Sequence, residues 1–153
     1  MSVDTAGQEL RRRRVAAGWT QRQLAQASAV PQPSIAAYET GARRPAQATA
    51  QRLDRALRTP TPTRLKASRE ALIGLAAARH LHDVRVFGSV ARGAAGPGSD
   101  VDLLVHPSGR ASIFDLAAFQ AAAEELLGLP VDVVSDRGSG PAMDRIRAEA
   151  VEL

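Results

Sequence analysis

The chain has 153 residues, 44% of them hydrophobic, and no cysteine. This length suits one ordinary domain or two small ones, and the lack of cysteine excludes disulfides, thiol catalysis and cysteine-bound zinc. The net charge of +4 is unevenly divided: residues 1–62 hold ten basic and four acidic residues (net +6), whereas residues 63–153 hold ten and twelve (net −2). The basic part is therefore expected to bind a polyanion such as nucleic acid.

The sequence gives no sign of a membrane segment. No apolar run approaches the roughly 20 residues that span a bilayer, and RRRR at 11–14 is not followed by the apolar segment of a signal peptide. We expect a cytoplasmic protein that does not contact membranes. The three histidines lack metal-ligand spacing, so a bound metal is expected to use carboxylates.

Four short helices are predicted in the first part of the chain. Apolar residues recur at helical spacing up to Gly18, which can end a helix. Thr20 suits the N-cap of the next helix, QRQLAQAS. Residues 31–39 and 46–57 repeat the helical pattern, which predicts an all-helical bundle.

A Thr-Pro repeat marks the expected boundary between two domains. TPTPT at 59–63 cannot continue a helix and favours an extended spacer. We therefore predict one domain over 1–59, a linker over 60–63 and a second domain over 64–153.

The stretch GWTQRQLAQASAVPQPSIAAYETGARRP resembles the helix-turn-helix domain of the Xre/Cro/phage-repressor family, and the likeness covers about residues 5–58. It implies a DNA-binding bundle whose third helix enters the major groove, and an ion pair between Arg14 and Glu39. The amide of Gln32 can pair with adenine. A bundle used only for dimerisation is the alternative. The residues implied to contact DNA are Gln21, Gln32, Pro33, Ser34, Ala37, Arg43 and Arg44.

The second domain is predicted to be a small mixed sheet with helices, so that the whole chain is an α+β protein of two domains. A helix over 64–80 precedes a strand that runs into Gly88-Ser89. The alternating patterns of SDVDLLVH and LPVDVVS predict two further strands. The helix between them, at 112–127, is expected to cover the apolar face through Phe114, Leu116, Phe119, Ala123 and Leu127.

Three aspartates are expected to converge in one cleft of this sheet. Alternation along SDVDLLVH places Asp100 and Asp102 on the same face, and Asp132 lies on the following strand. Neighbouring carboxylates repel each other unless a cation lies between them, and an oxygen-only site beside a substrate phosphate suits Mg²⁺. The residues expected to remain solvated at the surface are His82, Asp83, His106, Asp115, Asp136 and Asp144.

Gly88-Ser89, ten further residues and Asp100-Val101-Asp102 resemble the signature of the nucleotidyltransferase superfamily that shares the DNA polymerase beta palm. Residues 64–153 are similar to its minimal, MNT-type branch, commonly the antitoxin partner of a HEPN-type ribonuclease toxin. The resemblance implies an enzyme that uses Mg²⁺ and ATP or another NTP. It assigns metal binding and catalysis to Asp100, Asp102 and Asp132, and the triphosphate to Gly88, Ser89 and Arg92.

The two resemblances together imply an antitoxin that transfers AMP from ATP to a hydroxyl of its partner toxin. Its first domain would bind the promoter of its own operon, as a homodimer or in a complex with the toxin. One alternative is a DNA-binding repressor whose second domain is catalytically inert, and another is a toxin that modifies tRNA. A transferase for small molecules is disfavoured, because about 90 residues leave no room for a substrate subdomain.

Overall fold

The structure, a computed structural model, describes residues 5–153. The chain forms two compact units, with the boundary between Thr59 and Pro60. The first unit is all helical, and the second is a mixed sheet with helices. The expected fold class is therefore confirmed. Among the described residues, no helix is long and apolar enough to cross a membrane.

The first unit is a bundle of short helices. Thr20 caps the second helix by accepting a hydrogen bond from the Gln23 backbone, and the Gln23 side chain accepts one from the Thr20 backbone in return. Buried Leu24, Ile35 and Leu53 form its core. The helices are α1 (Thr5–Ala16), α2 (Gln21–Ser28), α3 (Gln32–Glu39) and α4 (Gln47–Leu57).

The second unit is built on a four-stranded sheet. The described elements are α5 (Pro62–Ala67), α6 (Arg69–Ala77), β1 (Leu81–Phe87), α7 (Gly88–Ala91), β2 (Val101–Pro107), α8 (Ile113–Leu127), β3 (Val131–Ser135), α9 (Pro141–Glu149) and β4 (Val151–Glu152). The strand order is β3-β2-β1-β4. Strand β1 runs antiparallel to β2 and β4, whereas β2 and β3 are parallel. Helix α8 makes the crossover that a parallel pair needs.

The core of the second unit lies on one face of this sheet. Val101, Leu103 and Val105 alternate along β2 and are fully buried, as the pattern predicts. They pack in a cluster that includes Phe119 of α8 and Leu72 of α6. Asp102 of β2 therefore lies on the other face.

Helix α8 corrects one expectation about this core. Phe114 was expected to cover the sheet but is 80% exposed. Leu116, Phe119, Ala123 and Leu127 follow one another at spacings of three or four, and Phe114 lies two residues before the first of them, on the opposite side of the helix. Ser112 and Asp115 fix the start of the helix in a capping box, so Phe114 cannot rotate inward.

The segment after the domain boundary also differs from expectation. Thr61 caps a helix that begins at Pro62, so the second half of the expected spacer is helical. Proline at the first position of a helix loses no hydrogen bond there. The helix expected over 64–80 is divided at Ser68 into α5 and α6.

Candidate functional site

Two aspartates stand side by side on neighbouring strands. In the parallel pairing of β2 with β3, Asp102 is the register partner of Asp132. In the antiparallel pairing with β1, Asp102 lies opposite Phe87, the last residue before Gly88-Ser89. Register partners project to the same face of a sheet. The structure thus brings two of the three predicted carboxylates together at the end of β1 where the Gly-Ser turn begins.

Gly88 has a specific reason to be glycine. Its φ is +72°, in the left-handed region that side chains rarely adopt. A Cβ on Gly88 would also collide with the carboxylate of Asp102. The turn into α7 therefore brings the backbone directly against this carboxylate, in a position that only glycine allows.

The electrostatics of the site centre on Asp102, which is half-buried. Burial raises the pKa of its carboxyl above the ordinary value, and the negative charges of Asp132, Asp100 and Glu149 raise that pKa further. Arg92 opposes this effect only in part. Asp100, immediately before β2, is exposed but close enough to act on Asp102. The site therefore holds an excess of negative charge that a cation would relieve.

The donor atoms fit a divalent metal in an open site. Paired carboxylate oxygens are ligands that Mg²⁺ accepts, with phosphate oxygens and waters completing the shell. Within residues 5–153, no three acidic or histidine side chains are gathered closely enough to hold a metal ion by themselves. The protein would therefore provide only part of a coordination shell, and a bound phosphate would have to supply the rest.

Arg92 belongs to the same end of the sheet. It is the C-cap of α7, and its Nη1 donates a hydrogen bond to Oε1 of Glu149 in α9. Sequence reasoning missed Glu149. Fifty-seven positions separate it from Arg92, so no local spacing links the two residues, and only the packing of α9 against α7 reveals the contact.

A second polar cluster corrects an expectation. Asp136 was expected to be solvated, but its side chain is only 14% exposed. It accepts hydrogen bonds from Arg85 at 3.3 Å and from Nδ1 of His106 at 2.9 Å. Arg147 donates to the backbone carbonyls of Asp136 and Gly138. This network fixes the segment that follows β3.

The first unit contains a polar network between its helices. Arg14 binds Glu39 through two hydrogen bonds of 2.6 and 3.0 Å, which confirms the ion pair that the resemblance implied. Gln21 donates to Glu39 at 2.9 Å and accepts from Gln32 at 2.9 Å. Burial opposes the ionisation of Glu39, but the hydrogen bonds from Arg14 and Gln21 outweigh it and lower the pKa of that carboxyl.

The residues expected to contact DNA fall into two groups. Gln32 and Pro33, at the start of α3, are exposed, and so are Arg43 and Arg44 in the loop after it. Gln21, Ser34 and Ala37 are half-buried. The exposed group can reach a ligand without rearrangement, whereas Gln21 also holds α2 to α3 through Glu39 and Gln32.

A mixed sheet with paired aspartates beside a Gly-Ser turn defines the nucleotidyltransferase class of protein. In agreement, the model of the nucleotidyltransferase domain matches residues 75–151, half of the chain, and a helix-turn-helix domain model matches residues 5–67. The chain belongs to the nucleotidyltransferase domain family, preceded by a helix-turn-helix domain. Enzymes of this family generally use an NTP and a divalent metal.

Relatives support the same assignment. A Methanocaldococcus jannaschii protein named "Putative protein adenylyltransferase" is 39% identical over 69 residues, which are 44% of this chain and 74% of that protein. A solved structure titled "Structure of putative minimal nucleotidyltransferase" is 46% identical with a TM-score of 0.54, over 58% of this chain and 92% of that one. A toxin-antitoxin structure with AMP-PNP aligns at 18% identity and a TM-score of 0.48, over 55% of this chain and 70% of that one. At this level of similarity, the toxin-antitoxin structure does not identify a binding partner of this chain.

Proposed function

We propose that the second unit transfers AMP from ATP to a hydroxyl of another protein, and that the first unit binds promoter DNA. The observation that carries the proposal is the pairing of Asp102 with Asp132, with Gly88 packed against the Asp102 carboxylate. The relative named as a protein adenylyltransferase supports the choice of AMP and of a protein acceptor.

The triphosphate would lie against the turn into α7. We propose that Gly88, Ser89 and Arg92 position the β- and γ-phosphates and balance the charge that grows on the leaving pyrophosphate. Gly88 lets the backbone approach closely, and Arg92 supplies a guanidinium suited to phosphate oxygens. The α-phosphate would then face the paired carboxylates.

Asp100, Asp102 and Asp132 would hold the divalent metal, proposed to be Mg²⁺, together with oxygens of the bound triphosphate. When bound, this ion supplies charge neutralisation for the triphosphate and lowers the pKa of an attacking hydroxyl. The hydroxyl oxygen forms a bond to the α-phosphorus, the bond from that phosphorus to the bridging oxygen breaks, and pyrophosphate leaves. Either Asp132 accepts the proton of the hydroxyl, or Asp132 is a ligand of the metal and the proton passes to water.

The acceptor is proposed to be a HEPN-type toxin, which would make this chain an antitoxin acting in the cytoplasm. The resemblance of residues 64–153 to the MNT-type branch supports this choice, since that branch is commonly paired with such toxins. The helix-turn-helix domain would bind the operon's own promoter, as a homodimer or with the toxin. Exposed Gln32, Arg43 and Arg44 would contact the DNA.

The proposal is tested with purified protein, Mg²⁺ and each α-labelled NTP, with and without the product of the neighbouring gene. The control is the Asp100→Ala/Asp102→Ala double variant. Label from ATP on the partner, absent in the control, is the expected result. Label on tRNA instead would support the toxin alternative, and no label on any acceptor, with DNA binding intact, would support a repressor with an inert second domain.

A further inference from the structure

Arg92, the arginine proposed to bind the triphosphate, forms an ion pair with Glu149. Arg92 closes the short helix that begins at Gly88-Ser89, and its guanidinium is bound to Glu149. The side chain of Arg92 is 57% exposed and that of Glu149 30%. Exposed ion pairs are weak, because water and salt screen them. This pair can therefore open when a stronger partner arrives.

Carboxylate and phosphate oxygens are equivalent partners for a guanidinium. Arginine binds both with the same planar arrangement of N–H donors, so Glu149 and a triphosphate are alternative acceptors for Arg92. Glu149 also lies close enough to Asp102 to add negative charge at the site. A negative charge in this position disfavours an incoming phosphate.

We propose that Glu149 competes with the triphosphate for Arg92 and so sets the affinity of the site for nucleotide. This inference rests on the proposed function, because it assumes that the triphosphate lies at Gly88, Ser89 and Arg92. Without nucleotide, Glu149 holds Arg92 between α7 and α9. With nucleotide, Arg92 exchanges the carboxylate for a phosphate, and α9 loses its ion pair to α7.

The test is the binding of a non-hydrolysable ATP analogue to the full chain, measured by calorimetry at saturating Mg²⁺. Glu149→Gln, which keeps the shape and removes the charge, should bind the analogue about two- to fivefold more tightly, given the usual strength of an exposed ion pair. AMP should bind both proteins equally, because it lacks the β- and γ-phosphates. Glu149→Ala should behave like Glu149→Gln.

Three further variants separate this role from a structural one. Glu149→Asp keeps the charge and should bind like the wild type. Glu125→Gln removes an equal charge from an exposed site on α8 and should change nothing. In an Arg92→Ala background, Glu149→Gln should give a clearly smaller gain, since the contested arginine is gone and only the repulsion between Glu149 and the phosphates is removed.

The outcomes distinguish this inference from the proposed function. Equal or weaker binding by Glu149→Gln, or the same gain without Arg92, would overturn the inference while leaving the nucleotide site in place. Failure of the wild-type protein to bind the ATP analogue at all would instead overturn the proposed function.

Discussion

The two units surround a carboxylate with opposite electrostatic environments. In the first unit, Glu39 is 3% exposed and receives hydrogen bonds from Arg14 and Gln21, so its charge is compensated. In the second unit, Asp102 is packed against Gly88 and lies near the negative charges of Asp132, Asp100 and Glu149. Its charge is therefore not compensated, since Arg92 opposes them only in part. A paired buried charge is a structural element, whereas uncompensated like charges are tolerated where a ligand later supplies the balance.

The largest expected effect is on catalysis. Asp102→Asn should reduce nucleotide transfer to background, because it removes a carboxylate proposed to bind metal. It should leave DNA binding unchanged and should not destabilise the second unit, since it also removes like-charge repulsion. Labelled transfer assays and gel-shift assays on the same preparation measure both. Loss of both activities in a folded protein would contradict the independence of the two units.

Breaking the Arg14–Glu39 ion pair should instead lower the stability of the first unit. Arg14→Ala leaves Glu39 buried without its cation, which costs about 3–5 kcal/mol of stability. Chemical denaturation should show early loss of the helical unit and weaker DNA binding. Arg12→Ala is the matched control, because its pair with Glu9 is exposed and should matter little. Similar losses in both variants would mean that Arg14 has no special role.

Glycine substitutions should separate backbone strain from collision with Asp102. Gly88 and Gly93 both have left-handed φ values, +72° and +69°, but a Cβ on Gly93 meets no atom within 4 Å. Gly93→Ala should cost about 1–2 kcal/mol from conformation alone. Gly88→Ala should cost more and also weaken ATP binding, because Asp102 must move. Equal costs in urea denaturation would show that Gly88 is not constrained by this carboxylate.

The smallest expected effect is a difference in pH dependence between the units. The lowered pKa of Glu39 means that its stabilising contribution is present above the unfolded-state pKa and is lost as pH falls through the lowered value. The raised pKa of Asp102 has the opposite effect on the free energy of unfolding. In metal-free protein, the charged carboxylate destabilises the second unit, and this destabilisation is relieved as pH falls through the raised pKa. Carboxyl NMR titrations of the wild type, with Glu39→Gln and Asp102→Asn for assignment, should place the two midpoints on opposite sides of the ordinary range. Titration midpoints in the ordinary range for both Glu39 and Asp102 would contradict this difference between the two units.

Features that depend on short spacing could be predicted from the sequence. Period-two alternation placed Val101, Leu103 and Val105 in the core, and the Thr20 cap followed from residue type and position. The Arg14–Glu39 pair came from the family resemblance rather than from spacing. Local patterns carry this information because strand and helix periods fix the direction of side chains.

Other features depend on packing between distant elements and could not be predicted. Glu149 reaches Arg92 only through the contact of α9 with α7. Asp136 is partly shielded from solvent in a polar cluster, because β1 and β2 bring Arg85 and His106 to it. The expected place of Phe114 in the core was wrong for a local reason: Phe114 precedes Leu116 by two residues, so it projects from the opposite side of α8.

Because β2 and β3 must pair in one register, insertions and deletions should be tolerated in the loop before Asp100 but not in the turn before β3. Gly93, Gly96 and Gly98 lie in the segment between the Gly-Ser turn and Asp100, where added side chains meet open space. Gly128 and Pro130 lie in the turn that sets where β3 begins. A strand displaced by one residue turns every side chain to the other face. A one-residue insertion that displaced β3 would turn Asp132 into the core, whereas the loop before Asp100 is the place where the chain can diverge.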